Sequence, residues 1–171
     1  MDPLSLTSYN ELAFSFDLAG RHEEAIEVYR EGLELYPANS WTLQLLAAAY
    51  ARNGVSEEAI ALCQEAMSLA PGQTPVMAWC ACVYGIAGRK PLAVGILDEL
   101  KQRGSKEYVS PASLALIHST LGETEQALEL LELAYQGRDT RLVWLKTFWQ
   151  FDPLRADPRF QDLLRRMNFA E

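Results

Sequence analysis

The sequence predicts an all-α protein, a solenoid of about four stacked helix pairs that ends in a C-terminal helical cap. A glycine returns every 34 residues, at Gly20, Gly54, Gly88 and Gly122. An alanine returns with the same spacing, at Ala25, Ala59, Ala93 and Ala127. Within each period, apolar residues recur at helical spacing, as Leu43, Leu46 and Tyr50 do. Four such periods without insertion or deletion indicate a repeat array.

Each period reads as two helices. The glycine ends the first helix, because only glycine takes the left-handed cap without steric cost. Acidic residues such as Glu23 and Glu57 then begin the second helix, where they complement the helix dipole. Pro37 and Pro71 end the second helix in the first two periods. We expect helices near 6–19, 22–35, 40–53, 56–69, 74–87, 90–103, 110–121 and 124–136.

One helix pair cannot bury both of its apolar faces, so neighbouring pairs must share an elongated core. This requirement divides the chain into an array over 1–139 and capping helices over 140–171. The repeats of the array are expected near 6–39, 40–73, 74–107 and 108–139.

The repeated residues resemble those of the tetratricopeptide repeat (TPR). In the first period they are Tyr9, Leu12, Ala13, Phe16, Gly20, Ala25, Tyr29, Gly32 and Pro37. The third and fourth periods lack the closing proline and carry Ser105 and Asp139 in its place. The resemblance covers roughly residues 6–139. It implies a right-handed α-solenoid in which the first helix of each pair lines a concave groove for a polypeptide.

The later part of the chain, residues 83–167, is similar to the closing segment of many bacterial multi-domain signalling proteins. In those proteins such a segment ends a TPR array that is attached to a kinase, a cyclase or a winged-helix regulator. No kinase, cyclase or winged-helix motif occurs in this sequence. The resemblance therefore implies an adaptor or the regulatory, sensory region of a signalling protein.

The predicted cap has two parts. Residues 141–149 are apolar nearly all round, which predicts a short buried helix. Asp157 followed by Pro158 is a well-formed helix start, with the aspartate as N-cap and the proline in the first turn. One face of the helix that follows is apolar and should cover the open end of the last repeat. Its residues are Phe160, Leu163, Leu164 and Met167.

Charge is unevenly distributed along the chain. The net charge is −8, yet residues 137–171 carry seven basic and five acidic residues, so residues 1–136 carry −10. An acidic body disfavours nucleic acid, which needs a basic face, and favours basic partners. The basic tail is itself a candidate to dock on the acidic body.

The sequence favours a cytoplasmic protein without membrane insertion. No apolar run approaches the length of a membrane span, and no signal peptide opens the chain. Three cysteines are an odd number, which favours reduced thiols. Pro3 lies 34 residues before Pro37, in phase with the closing prolines. This spacing predicts that the chain is the C-terminal part of a longer array. The larger protein could then be anchored to a membrane through another region.

The repeat register places a largely apolar set of residues on the groove. They are Asn10, Phe14, Asp17, Trp41, Gln44, Ala48, Ala78, Cys82, Gly85, Ala112, Leu116 and Ser119. Such a surface suits an extended or helical peptide with apolar anchors, of which Trp41 and Phe14 are the foremost candidates. The alternative is that these side chains pack on their neighbours or on another TPR unit, which makes the chain a self-association unit.

Other kinds of site find no support in the sequence. A clamp for a terminal carboxylate needs basic residues, and none occurs at the relevant positions, which are Asn10, Phe14, Leu45, Pro75 and Trp79. Cys80 and Cys82 point about 200° apart on a helix, so they read as core thiols and not as metal ligands. His22 is interpreted as an exposed turn residue. His118 takes, in the fourth period, the position that Phe16, Tyr50 and Tyr84 hold in the first three. The sequence therefore predicts no enzyme, no cofactor and no metal site.

The densest aromatic cluster follows the array. It consists of Trp144, Phe148, Trp149 and Phe151. Two interpretations stay open: these rings pack within the cap, or they form a contact patch for a partner or a second copy, since aromatic residues are enriched at interfaces.

Overall fold

The computed structural model describes residues 5–169, which form nine α-helices and two 3-10 helices with no strand among them. The α-helices are α1 (Leu6–Leu18), α2 (His22–Leu35), α3 (Ser40–Arg52), α4 (Ser56–Leu69), α5 (Thr74–Ile86), α6 (Lys90–Arg103), α7 (Pro111–Leu121), α8 (Thr124–Gln136) and α9 (Pro158–Arg166). Every boundary of α1–α8 lies within one residue of its predicted position. Pro3, on which the prediction of a preceding repeat rests, lies outside the described residues.

The repeated glycines turn the chain between the two helices of each pair. Gly20, Gly54, Gly88 and Gly122 have φ angles of 76°, 78°, 72° and 80°, a conformation that strains any other residue. The residue after each glycine donates its N–H back to the preceding helix, as Val55 does to the Tyr50 carbonyl at 2.9 Å. The same bond recurs from Arg21, Arg89 and Glu123, so all four turns share one geometry.

The repeated alanines let the two helices of a pair lie close together. All four are fully buried. The position four residues after each alanine is also buried. Its residues are Tyr29, Cys63, Leu97 and Leu131, none of them more than 3% exposed. Because α3 also packs on α5 and α5 on α7, the pairs share one elongated core.

The prediction of a single helix over 141–149 is wrong. A 3-10 helix spans Thr140–Trp144, a turn follows, and a second 3-10 helix spans Trp149–Leu154. The apolar residues here are spaced by three, and one turn of a 3-10 helix is three residues, so this spacing puts them on one face. They are Leu142, Leu145, Phe148, Phe151 and Leu154, of which all but the half-buried Phe148 are buried.

The start of α9 is as predicted. Asp157 caps it by accepting the Arg159 N–H at 2.8 Å, and Pro158 is its first residue. Phe160 and Leu163 are buried, and the helix packs on α8.

Two arginines of α9 bind carboxylates of α8, which confirms the expected docking of the basic tail on the acidic body. Arg159 pairs with Glu125 at 2.7 Å, and Arg166 pairs with Glu132. The hydrogen bonds from these arginines hold the pKa of each glutamate below its ordinary value.

Candidate protein-binding groove

The first helices of the four pairs, α1, α3, α5 and α7, line the groove, and residues 140–154 lie along it. We call residues 140–154 the groove segment. Asp139 fixes its start, because its carboxylate accepts hydrogen bonds from the Ser110 hydroxyl at 2.5 Å and the Ala112 N–H at 3.2 Å. Near its end, the Ser119 hydroxyl of α7 donates to the Gln150 carbonyl at 2.8 Å. Both anchors lie on the last repeat.

A row of five aromatic rings connects the groove segment to helices α1, α3 and α5. Phe14 of α1 meets Trp144 edge-on, with centroids 6.1 Å apart, and Trp144 stacks on Phe148 at 5.6 Å. Phe148 then contacts Trp79 of α5 at 5.3 Å, and Trp79 contacts Trp41 of α3 at 5.7 Å. The indole N–H of the buried Trp79 donates to the Gln44 carbonyl at 2.9 Å, which fixes the ring in place.

Arg52 of α3 lies between a carboxylate and an indole. Its guanidinium is 4.8 Å from the centroid of Trp149 in the groove segment and 3.3 Å from the Asp17 carboxylate of α1. Asp17 also binds the His22 imidazole at 2.6 Å. Burial raises the pKa of the neighbouring Tyr29, and the charge of Asp17 raises it further. Asp17 is therefore fully engaged within the protein.

The candidate groove residues fall into two groups. Trp41 is exposed, while Asn10, Phe14 and Asp17 are half-buried. The others are buried and cannot meet a partner in this structure: Gln44, Ala48, Ala78, Cys82, Gly85, Ala112, Leu116 and Ser119. The groove segment accounts for much of this burial, since Ala78, Ala112 and Leu116 face Leu142, Leu145 and Phe151 across a shared cavity.

The predicted aromatic patch is not separate from the groove. Trp144 is 46% exposed, Phe148 and Trp149 are half-buried, and Phe151 is buried against Phe160 at 6.1 Å. These rings do pack, but on the groove of the array rather than only on the end of the last repeat. The two sites that the sequence suggested are thus one surface.

The cysteines and histidines take part in internal contacts. Burial raises the pKa of Cys82, and a hydrogen bond with Cys80, followed by burial, raises that of Cys63. His118 is buried and binds Glu123 across the turn. His22, expected to be exposed, is half-buried against Asp17. Within residues 5–169 no group of three metal-binding side chains comes together.

Two groove residues, Leu45 and Trp79, were considered only as positions of a carboxylate clamp and not as candidates for binding a peptide. They occupy the same register position as Glu11, 34 residues apart, and all three belong to first helices. The signal that reveals them is therefore the period itself, applied to one further position of the first helix.

The groove segment leaves one cleft open near the first repeat, with a volume of about 310 Å³. Half of its lining residues are aromatic; the lining consists of Thr7, Asn10, Glu11, Phe14, Trp41, Leu45, Trp144 and Phe148. Trp41 and Trp144 are 47% and 46% exposed. We call this the aromatic cleft.

The polar residues of the aromatic cleft differ in how they are held. Asn10 exchanges hydrogen bonds with Thr42 at 3.0 and 3.1 Å, so its amide is fixed. Glu11 is exposed and forms no ion pair within the described part of the chain. Among the described lining residues, the carboxylate of Glu11 is thus the one charge without an ion pair.

One buried polar group lacks a hydrogen bond where the groove segment meets the array. The side-chain oxygen of Gln150 is buried and has no hydrogen-bond partner among the described residues. A buried acceptor without a partner costs about 1–3 kcal/mol. Gln150 lines a small cavity of about 20 Å³ together with residues of α1 and α3.

The comparisons with known proteins agree with this architecture. Residues 18–72, from the end of α1 to the turn after α4, match the tetratricopeptide repeat family. The fold is a TPR solenoid. The matched stretch contains Trp41, Leu45 and Arg52 of the groove. No curated protein matches the chain in sequence.

Two solved structures illustrate the similarity of fold. One is a kinesin light chain-like protein of Podosopora anserina with nearly identical TPR-like repeats, with a TM-score of 0.57 and 23% identity. The alignment covers 98% of this chain and 96% of that one. The other is the MamA protein, with a TM-score of 0.50, 18% identity, and coverage of 98% and 94%.

TPR solenoids are in general protein-interaction modules and typically non-catalytic scaffolds, because stacking creates an extended concave surface. No helix within residues 5–169 is long and apolar enough to cross a membrane.

Proposed function

We propose that the chain is a non-catalytic protein-interaction module that binds a polypeptide in the aromatic cleft. The observation that carries this proposal is the pair of half-exposed indoles, Trp41 and Trp144, in a cleft that Phe14, Leu45 and Phe148 also line. Large aromatic side chains in a partly desolvated cleft provide most of the binding energy at protein interfaces. The acidic charge of residues 1–136 favours a partner with basic residues over nucleic acid.

The binding surface in this proposal is composite. The array supplies Phe14 and Trp41, and the groove segment supplies Trp144 and Phe148. The affinity for a partner therefore depends on how the groove segment is positioned relative to the first repeats, and not on the array alone. This arrangement suits an adaptor or the regulatory, sensory region of a bacterial signalling protein, which is the role that we propose.

The test is selection of a random peptide library on the purified chain, followed by titration of the selected peptides. Trp41→Ala and Trp144→Ala should each weaken binding by about 30-fold, which corresponds to about 2 kcal/mol. Leu92→Ala is the matched control, because Leu92 is 46% exposed on α6, away from the cleft. If both tryptophan variants bind the selected peptides with wild-type affinity, the aromatic cleft is not the binding site.

Self-association is the second candidate, and one observation favours it. Leu12 of α1 is 49% exposed, although Leu46 and Cys80 at the same register position are buried. The other end of the array is covered by α9. An assembly through Leu12 would thus join two α1 faces, as in a two-fold dimer. Sedimentation at several concentrations decides this, with Leu12→Lys expected to restore a monomer.

We further propose a cytoplasmic location, on the ground that all three cysteines are free and buried as thiols.

A further inference from the structure

We infer that the aromatic cleft binds an arginine side chain of the partner, with its guanidinium between the cleft's aromatic rings and the Glu11 carboxylate. This inference rests on the proposed function and names the ligand class of the same site. Three observations carry it: the ring arrangement, the unpaired carboxylate, and an arginine that this protein already holds in the same groove.

The rings of the aromatic cleft suit a cation. Phe14, Trp41, Trp144 and Phe148 line it, so indole and phenyl surfaces surround a side chain that enters. An aromatic ring carries partial negative charge on its faces, and tryptophan is the strongest cation binder among the aromatic side chains. Arginine is favoured over lysine because its planar guanidinium is more weakly hydrated and stacks on rings.

The charge of the cleft also favours a cationic ligand. Among the described residues, Glu11 is the one ionisable residue in the lining, and no basic side chain lines it. A purely apolar ligand would leave this carboxylate unpaired at the edge of the contact. A guanidinium pairs with it and gains two parallel hydrogen bonds. The net charge of −10 over residues 1–136 adds a longer-range attraction for a basic ligand.

Arg52 shows the same recognition within the groove. Its guanidinium lies over Trp149 of the groove segment at 4.8 Å and beside Asp17 of α1 at 3.3 Å. The aromatic cleft repeats these components with Trp144 from the groove segment and Glu11 from α1. All four cation–π contacts among the described residues use arginine, which shows that rings of this protein accept that group. In the aromatic cleft the basic side chain must come from the partner.

The inference is tested with two synthetic peptides, acetylated and amidated, that differ at one residue. One carries arginine between two leucines and the other carries citrulline, its neutral isostere. Binding is followed by NMR of the indole N–H signals of Trp41 and Trp144. The arginine peptide should bind at least about tenfold more tightly than the citrulline peptide, and added salt should weaken only the former.

Variants locate the interaction. Glu11→Gln should lower the affinity for the arginine peptide toward that for the citrulline peptide, and leave the latter unchanged, because the aromatic rings remain. Glu23→Gln is the matched control, because it removes the same charge from an exposed position on α2. Trp41→Ala should weaken binding of both peptides.

Each contrary result has a distinct meaning. Equal affinities for arginine and citrulline overturn the inference and leave the proposed apolar binding intact. The inference also fails if Glu11→Gln and Glu23→Gln behave alike, or if the arginine peptide shifts signals elsewhere but not those of Trp41 and Trp144. Absence of binding up to about 5 mM overturns it as well. The library selection judges the proposed function separately.

Discussion

The ring of Phe14 lies edge-on against the indole of Trp144, with the planes at 87° and the centroids 6.1 Å apart. Phe14 belongs to the first helix of the array, and Trp144 ends the first 3-10 helix of the groove segment, after the last repeat. The contact therefore joins α1 to the segment that follows the last repeat, across the groove. The shape of the proposed binding surface therefore depends on the docking of the groove segment.

Trp149→Ala should loosen the groove segment. Loss of the half-buried indole, together with its contact to Arg52, is expected to cost about 1–3 kcal/mol of local stability. Trypsin cleavage at Arg141 and Lys146 should accelerate at least about fivefold, because cleavage follows the population of the opened state. Val143→Ala is the control, since Val143 is 59% exposed. Equal cleavage rates for the two variants would show that Trp149 does not hold the segment.

Ala93→Leu should destabilise the protein by about 1–3 kcal/mol, because a larger side chain in the close contact of α5 and α6 forces the helices apart. Ala59→Leu should do the same in the second pair. Gly95→Ala on α6 is the contrasting change: nothing lies near its added methyl group, so it should stabilise the helix by up to about 1 kcal/mol. Urea unfolding followed by circular dichroism measures all three. An unchanged midpoint for Ala93→Leu would mean that the helix contact is loose.

Leu46→Ala and Leu12→Ala should differ sharply, although the two residues hold the same register position. Leu46 is 3% exposed, and its truncation should cost about 2–5 kcal/mol. Leu12 is 49% exposed, and its truncation should change stability by less than about 0.5 kcal/mol. Thermal melts of dilute protein make the comparison. A large loss for Leu12→Ala would indicate that another surface covers α1 in solution.

Deletion of residues 157–171 should expose apolar surface on α8 and on the groove segment. Phe160 and Leu163 are the buried residues of α9, and their removal uncovers Leu128 and Phe151. We expect aggregation, visible by size-exclusion chromatography with light scattering. Phe160→Ala in the full chain is the finer test, with an expected loss of about 3–5 kcal/mol. A truncated chain that stays monomeric and equally stable would refute the role of α9 as a cap.

The docking of α9 on α8 should weaken in acid. The pKa values of Glu125 and Glu132 lie below their ordinary value of 4.5, because Arg159 and Arg166 donate hydrogen bonds to the ionised forms. Groups with a lowered folded-state pKa stabilise the fold above the unfolded-state pKa, and the contribution disappears as pH falls through the lowered values. The double variant Glu125→Gln/Glu132→Gln should melt below the wild type at neutral pH. The difference should shrink as the pH falls below 4.5 and through the lowered pKa values of the two glutamates.

Glu129→Gln provides the control for this pH series, because Glu129 is exposed on the same helix and forms no ion pair within residues 5–169. Its melting temperature should track the wild type at every pH. A difference between the double variant and the wild type that persists in strong acid would assign the effect to something other than these two carboxylates.

The sequence predicted the eight repeat helices closely because an uninterrupted 34-residue register constrains every boundary at once. It did not predict the path of residues 140–154. This segment occurs once, so no register applies, and its apolar residues were tested only against the α-helical period. Their spacing of three, from Leu142 to Leu154, is typical of a 3-10 helix and was present in the sequence.

The candidate site was predicted in part for a similar reason. The register assigned Phe14 and Trp41 to the first helices, which is sufficient to place them near the groove. Burial of Ala78 and Leu116 depends on which chain segment covers them, and that contact joins residues far apart in sequence. No local pattern encodes such a contact, so only the three-dimensional arrangement reveals it.

The groove segment also constrains how this array can evolve. TPR arrays ordinarily gain or lose whole repeats, because each repeat contacts only its neighbours. Here the segment starts at Asp139 on the last repeat and reaches Phe14 on the first, so its length is matched to four helix pairs. A duplicated repeat would place Trp144 opposite a different helix and would separate the two halves of the aromatic cleft. The segment thus constrains the number of repeats that can lie between Phe14 and Asp139.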